Sequence, residues 1–144
     1  MQRIICLDGV DKTGKDTIRR ELVKSSNGNY LVIVRSFISQ IVYSRIYNRN
    51  IDEDWFFVKM KEFQKCDMEF IVLTATEEEL KKRFEINNEL DLDKKDILYH
   101  DSVFKDVINK AMYMYNINIK IIDTTNKTIN QTVKEIEEIN LHTI

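Results

Sequence analysis

The sequence predicts an α/β fold in which helices cover both faces of a mostly parallel sheet of about four strands. Two observations carry that expectation. Apolar, β-branched runs alternate along the chain with segments of helical periodicity, the pattern that a parallel sheet buried on both sides requires. A glycine-framed polar loop also stands between the first such run and the first helical segment, where an α/β fold places ligand-binding loops.

Arg3 to Leu7 is the first strand, and Ile18 and Leu22, four residues apart, mark a helix from about Lys15 to Lys24. Ser25–Ser26–Asn27–Gly28–Asn29 stops that helix and turns the chain. Tyr30 to Val34 is then a buried strand or a piece of core helix, and the preceding turn favours the strand. Phe37, Ile38, Ile41, Val42 and Ile46 recur at helical spacing up to Tyr47, and a second amphipathic helix runs from Glu53 to Gln64 with Asp52 as its cap. Phe70 to Leu73 is the third strand. Thr76 and Glu79 form a capping box that opens the next helix. The charged stretch Asn87 to Lys95 fits a loop or a short solvated helix, Ser102 to Tyr115 a helix, Ile117 to Ile122 the fourth strand, and Thr128 to Ile139 the closing helix. No repeat or linker divides the 144 residues, so one domain over 1–144 is expected.

Composition narrows the function classes. A net charge of −2 offers a polyanion no general attraction, so no nucleic-acid partner is expected. The longest apolar runs fall far short of a membrane span, and Met1–Gln2–Arg3 opens neither a signal peptide nor a lipidation motif, so a cytoplasmic protein without a membrane partner is expected. Cys6 and Cys66 lack CxxC spacing, and His100 and His142 lack HxxxH spacing; two reduced, largely buried thiols and no structural metal site are the expectation.

Chemistry concentrates in Gly9-Val10-Asp11-Lys12-Thr13-Gly14-Lys15-Asp16-Thr17, which matches G-x-x-x-x-G-K and then departs from the usual Ser or Thr. Glycines let such a loop curl so that its N–H groups face phosphate oxygens. The following helix adds its positive end, and Lys15 supplies a full charge to the outer phosphates. A P-loop NTPase fold that binds ATP follows, with Gly9, Lys12, Thr13, Gly14, Lys15, Asp16 and Thr17 holding the phosphates. Asp16 stands where a hydroxyl normally ligates Mg²⁺; its carboxylate can bind Mg²⁺ directly or serve only as an acidic residue at the helix start.

The stretch Asp8 to Thr17 resembles the opening of the thymidylate kinase family. Val34-Arg35-Ser36-Phe37, followed by Ser39 and Tyr43, resembles that family's Asp-Arg-aromatic segment and also the Glu-Arg-Ser element of the deoxynucleoside kinases. Leu73 to Glu78 resembles the strand-to-helix junction before the lid, and Asp123-Thr124-Thr125-Asn126 the last strand's end beside the nucleotide base. The resemblance implies a small-molecule nucleoside monophosphate as acceptor, ATP with Mg²⁺ as donor, and a catalytic set of Lys15, Arg35 and, from the basic cluster Lys81-Lys82-Arg83, Arg83. It implies Arg35 on the acceptor phosphate, Asp11 on the acceptor sugar and Thr125 beside the donor base. Phe37 and Tyr43 either flank the acceptor base or belong to the core; Trp55, Phe56 and Phe57 read as core, with a partner surface as the alternative. A homodimer is compatible with this family.

Three departures bear on activity: Asp16 in the loop, Val34 where the family carries an acid, and the apparent loss of the strand and helices that the family inserts between its first helix and the arginine strand. They leave open a catalytically impaired nucleotide-binding protein acting as regulator or subunit, and a deoxynucleoside kinase as a further alternative.

Overall fold

The computed structural model describes residues 2–10, 13–87 and 94–139. Four parallel strands form one sheet in the order β2-β1-β3-β4: β1 (Arg3–Gly9), β2 (Tyr30–Val34), β3 (Met68–Thr74) and β4 (Ile119–Asp123). Among the described residues there are six helices: α1 (Lys15–Ser25), α2 (Phe37–Ile46), α3 (Glu53–Gln64), α4 (Glu77–Asn87), α5 (Lys94–Met114) and α6 (Ile129–Glu137). Because side chains alternate along a strand, β1, β3 and β4 feed two cores, whereas β2, expected to be a buried strand, lies at the sheet's edge and buries only Val32 while Leu31 and Ile33 are exposed on its other face. Cys6, Phe70 and Val72 meet Ile38, Ile41, Phe57, Met60, Phe104 and Val107 on the face covered by α2, α3 and α5. Ile5, Leu7, Ile71 and Leu73 meet Ile18, Leu22, Val133 and Ile136 under α1 and α6.

Several expectations shift. Residues 94–101 continue the predicted Ser102 helix, so α5 begins at Lys94, with Ile97 and His100 buried; the rest of the Asn87–Lys95 stretch, 88–93, lies outside the described residues. Strand β4 starts at Ile119 because Asn116 takes a left-handed φ of 54° and the Ile117 amide returns to Ala111 O at 3.0 Å, which makes Ile117 part of the helix's closing turn. Trp55, read as core, is 50% exposed on the first turn of α3, where Asp52 caps Trp55 N at 3.2 Å as expected; Phe57 alone of that trio is fully buried. His142 lies outside the described residues. No helix among the described residues is long and apolar enough to cross a membrane.

The two thiols also differ, contrary to the expectation that both are largely buried. Cys6 is buried in β1, and burial pushes its thiol up to about 12. Cys66 is exposed in the turn between α3 and β3. A thiolate is the reactive form, so Cys66 should be labelled by a maleimide within minutes at neutral pH while Cys6 reacts only on unfolding. Mass spectrometry of the native protein should therefore find one adduct, on the peptide carrying Cys66.

Candidate nucleotide site

The carboxyl ends of β1, β2, β3 and β4 converge on one edge of the sheet. Strand β1 delivers Gly9, whose φ of 151° lies in a region closed to most L side chains. A Cβ there would stand 2.5 Å from Leu73 O, so glycine is what lets the loop leave β1 against β3. The loop closes on itself. Thr13, buried, donates its hydroxyl to Val10 O at 2.8 Å, and Gly14, with a left-handed φ of 82°, turns the chain into α1 as its N-cap. A glycine N-cap has no side chain to accept from the first-turn amides, which leaves them for an external anion. Asp11 and Lys12 lie outside the described residues.

Lys15 is 7% exposed and folds back across the loop, its ammonium donating to Gly9 O and, at 3.3 Å, to Val10 O. That geometry stores a full positive charge inside the curl. Asp16 is exposed on the first turn of α1; Thr17 is half-buried and its hydroxyl accepts from Arg20 at 3.4 Å.

Arg35 joins this edge because Leu7 pairs with Val34, the last residue of β2, which places the residue that follows the strand beside the start of the loop. It has a φ of 58°, unusual for a non-glycine residue, and its amide donates to Leu7 O at 3.3 Å. The side chain is exposed, and among the described residues the guanidinium makes no hydrogen bond or ion pair. An available fork of donors thus stands beside the loop.

Behind Arg35 lies a buried carboxylate that the sequence reading passed over. Asp8 is fully buried, yet it accepts from Ser36 N at 2.7 Å, Ser36 Oγ at 2.6 Å, Ser39 Oγ at 2.6 Å and Ser39 N at 3.3 Å. Burial raises its pKa, and the hydrogen bonds from Ser36 and Ser39 pull it back. The signal was present in the sequence as an acidic residue closing an apolar strand directly before the loop glycine.

Phe37 is half-buried in an aromatic cluster, with ring centroids 6.2 Å from Phe56, 5.7 Å from Phe63 and 6.4 Å from Phe70. Tyr43, also half-buried, stacks on Tyr47 at 6.2 Å and meets His100 and Phe104 edge-on at 5.8 and 5.9 Å. Both rings pack as core residues do.

At the far side of the edge, Arg83 meets the loop that carries Thr125. Arg83 donates to Thr124 Oγ1 at 3.0 Å, to Thr124 O at 3.1 Å and to Glu79 Oε1 at 3.0 Å, which ties α4 to the loop after β4. Lys81 and Lys82 point into solvent. The capping box expected at Thr76 is only half formed. Thr76 Oγ1 accepts from Glu79 N at 3.2 Å, but the Thr76 amide donates to Thr125 Oγ1 at 2.9 Å while Glu79 pairs with Arg83. A long-range partner has replaced the local one, because the strand ends lie side by side.

No protein-family model matches the chain, and no curated protein matches it by sequence. Solved structures do. The YorR protein of Bacillus subtilis, solved in complex with phosphorylated GDP, superposes with a TM-score of 0.73 at 17% identity, covering 93% of each chain. A thymidylate kinase from Candida albicans superposes with a TM-score of 0.58 at 12% identity, over 95% of this chain and 90% of that one. At such identities the likeness establishes the fold alone, a four-stranded parallel sheet with helices on both faces.

Proposed function

We propose that the protein transfers a phosphoryl group from ATP to a nucleoside monophosphate, in the manner of a thymidylate kinase. The observation that carries this reading is the pairing, on one edge of the sheet, of a buried lysine curled inside a phosphate loop with an exposed arginine beside it that is unengaged among the described residues. Phosphoryl transfer asks for positioning and charge neutralisation of two phosphate groups, and these two cations supply one for each. Lys15 and the amides from Thr13 to Thr17 would hold the β- and γ-phosphates, and Arg35 would grip the acceptor phosphate bidentately. Asp11 would meet the acceptor sugar, Thr125 the donor base. Arg83, bound to the loop that carries Thr125, is suited to shaping the donor end. Bound Mg²⁺ would neutralise charge between the outer phosphates, and the exposed Asp16 carboxylate fits it as a hard oxygen ligand. The bond to the γ-phosphorus would break on the ADP side and re-form to an oxygen of the acceptor phosphate.

A second reading, nucleotide binding without turnover, is favoured by Val34, which places an apolar side chain next to Arg35 where kinases of this resemblance carry an acid. A coupled ADP-release assay over nucleosides and their monophosphates separates the readings. The expected result is turnover with at least one monophosphate and none with nucleosides. ATP binding with no product from any acceptor would replace the kinase reading with the regulatory one.

A further inference from the structure

We infer that Asp8 is a positioning residue: a carboxylate on the strand that delivers the phosphate loop caps α2 from outside the helix and thereby fixes Arg35 toward that loop. The N-cap of α2 is Ser36, whose own side chain does not cap the helix. The amide that an N-cap side chain would ordinarily receive, that of Ser39 three residues on, instead donates to Asp8 Oδ1. The hydroxyls of Ser36 and Ser39 and the amide of Ser36 all point at the same carboxylate. A negative group at the positive end of a helix is favourable, and here it comes from β1.

Arg35 is caught between two of these links. Its amide is held by Leu7 O, the next residue by Asp8, and both anchors immediately precede Gly9. The backbone conformation of Arg35 costs energy for a side chain with a Cβ and persists only where its surroundings impose it. Four donors converging on one buried acceptor impose it. The arrangement ties the acceptor-side arginine to the phosphate loop through β1, which supplies both Leu7 O and the Asp8 carboxylate. Asp8 itself is fully buried beneath the two serines.

The test is Asp8→Asn, with Ser39→Ala as a milder second variant in case the first folds poorly. An amide side chain can keep its oxygen where both backbone amides and the Ser39 hydroxyl donate and turns only the oxygen facing Ser36 Oγ into a donor, so what the substitution removes is the negative charge that strengthens these bonds at the positive end of α2. With ATP and each of the four deoxynucleoside monophosphates in turn, kcat/KM for the acceptor is expected to fall about 30-fold in Asp8→Asn and about 5-fold in Ser39→Ala, while KM for ATP moves less than about 3-fold. In an Arg35→Ala background the same Asp8→Asn change should cost less than about 3-fold, because residues acting through one another are not additive. An equal loss in both backgrounds, or ATP and acceptor constants moving together, overturns the inference. It rests on the kinase reading for this readout only. If the wild-type protein turns over none of the monophosphates, that reading fails, and amide hydrogen exchange decides the matter. Protection at Arg35 and Ser39 that Asp8→Asn lowers about tenfold or more supports the positioning role; protection unchanged by the substitution sinks it.

Discussion

Lys15→Met is expected to lower ATP affinity at least about a hundredfold and to reduce any turnover by about 10²–10³, the range seen when a preorganised electrostatic group is removed. The ammonium is buried against Gly9 O and Val10 O, so its charge sits in the curl where the outer phosphates would lie and is poorly screened by water. Methionine keeps the length and the apolar stem but brings no donor. Two loop carbonyls then lose a hydrogen bond, and the phosphates lose their only buried cation among the described residues of the loop. Lys15→Arg should fare little better, since a planar fork does not fit a space shaped around a compact ammonium. Calorimetric titration with ATP and Mg²⁺ gives the affinity, and a thermal melt without nucleotide checks the fold. An affinity within threefold of the wild type would mean that the triphosphate binds elsewhere, and the kinase proposal would fall with it.

The loop was legible because its chemistry is local: glycines at fixed spacing, a lysine beside the second, and a strand and a helix on either side. The sheet was legible for a similar reason, since Ile5 to Leu7 and Phe70 to Leu73 are continuous apolar runs, as strands buried on both faces are, and reading them needs no knowledge of their partners. What escaped were interactions between residues far apart in sequence. Asp8 stood in plain view in the motif, but its partners lie 28 and 31 residues away and only the pairing of β1 with β2 brings them within reach. Thr76 shows the same limit from the other side. Its local pattern with Glu79 was read correctly as a helix start, yet Thr125, 49 residues on, took the amide that the pattern assigned to Glu79. Exposure was likewise misjudged where it depends on which way a helix faces: Trp55 and Phe57 are two residues apart, and only the second meets the core.

Glu69→Ala is expected to destabilise the protein by roughly 3–5 kcal/mol, a large part of the about 5–15 kcal/mol that holds a domain folded. Arg3 and Glu69 are 4% and 6% exposed, paired in two places, with Arg3 Nε 2.7 Å from Glu69 Oε2. They close the second core at the amino ends of β1 and β3, opposite the phosphate loop. The hydrogen bond to Glu69 is the main influence raising the Arg3 pKa, against burial, which lowers it. Remove the carboxylate and the guanidinium remains buried and charged. It would keep Ile136 O at 3.1 Å, Glu137 O at 3.4 Å and the face of Tyr30 at 4.9 Å, dipolar partners that soften the loss but do not neutralise the charge. The effect should therefore fall near 3 rather than 5 kcal/mol. Urea titration should show the midpoint lowered with the slope unchanged. Arg3→Met combined with Glu69→Leu removes both charges together and should recover to within about 1–2 kcal/mol of the wild type, the remainder being the bonds that Arg3 gives to the last carbonyls of α6. A double variant as unstable as Glu69→Ala would instead locate the penalty in packing at the foot of the sheet. Because the pair lies at the far ends of the strands, ATP affinity per folded molecule should be the same in all three proteins.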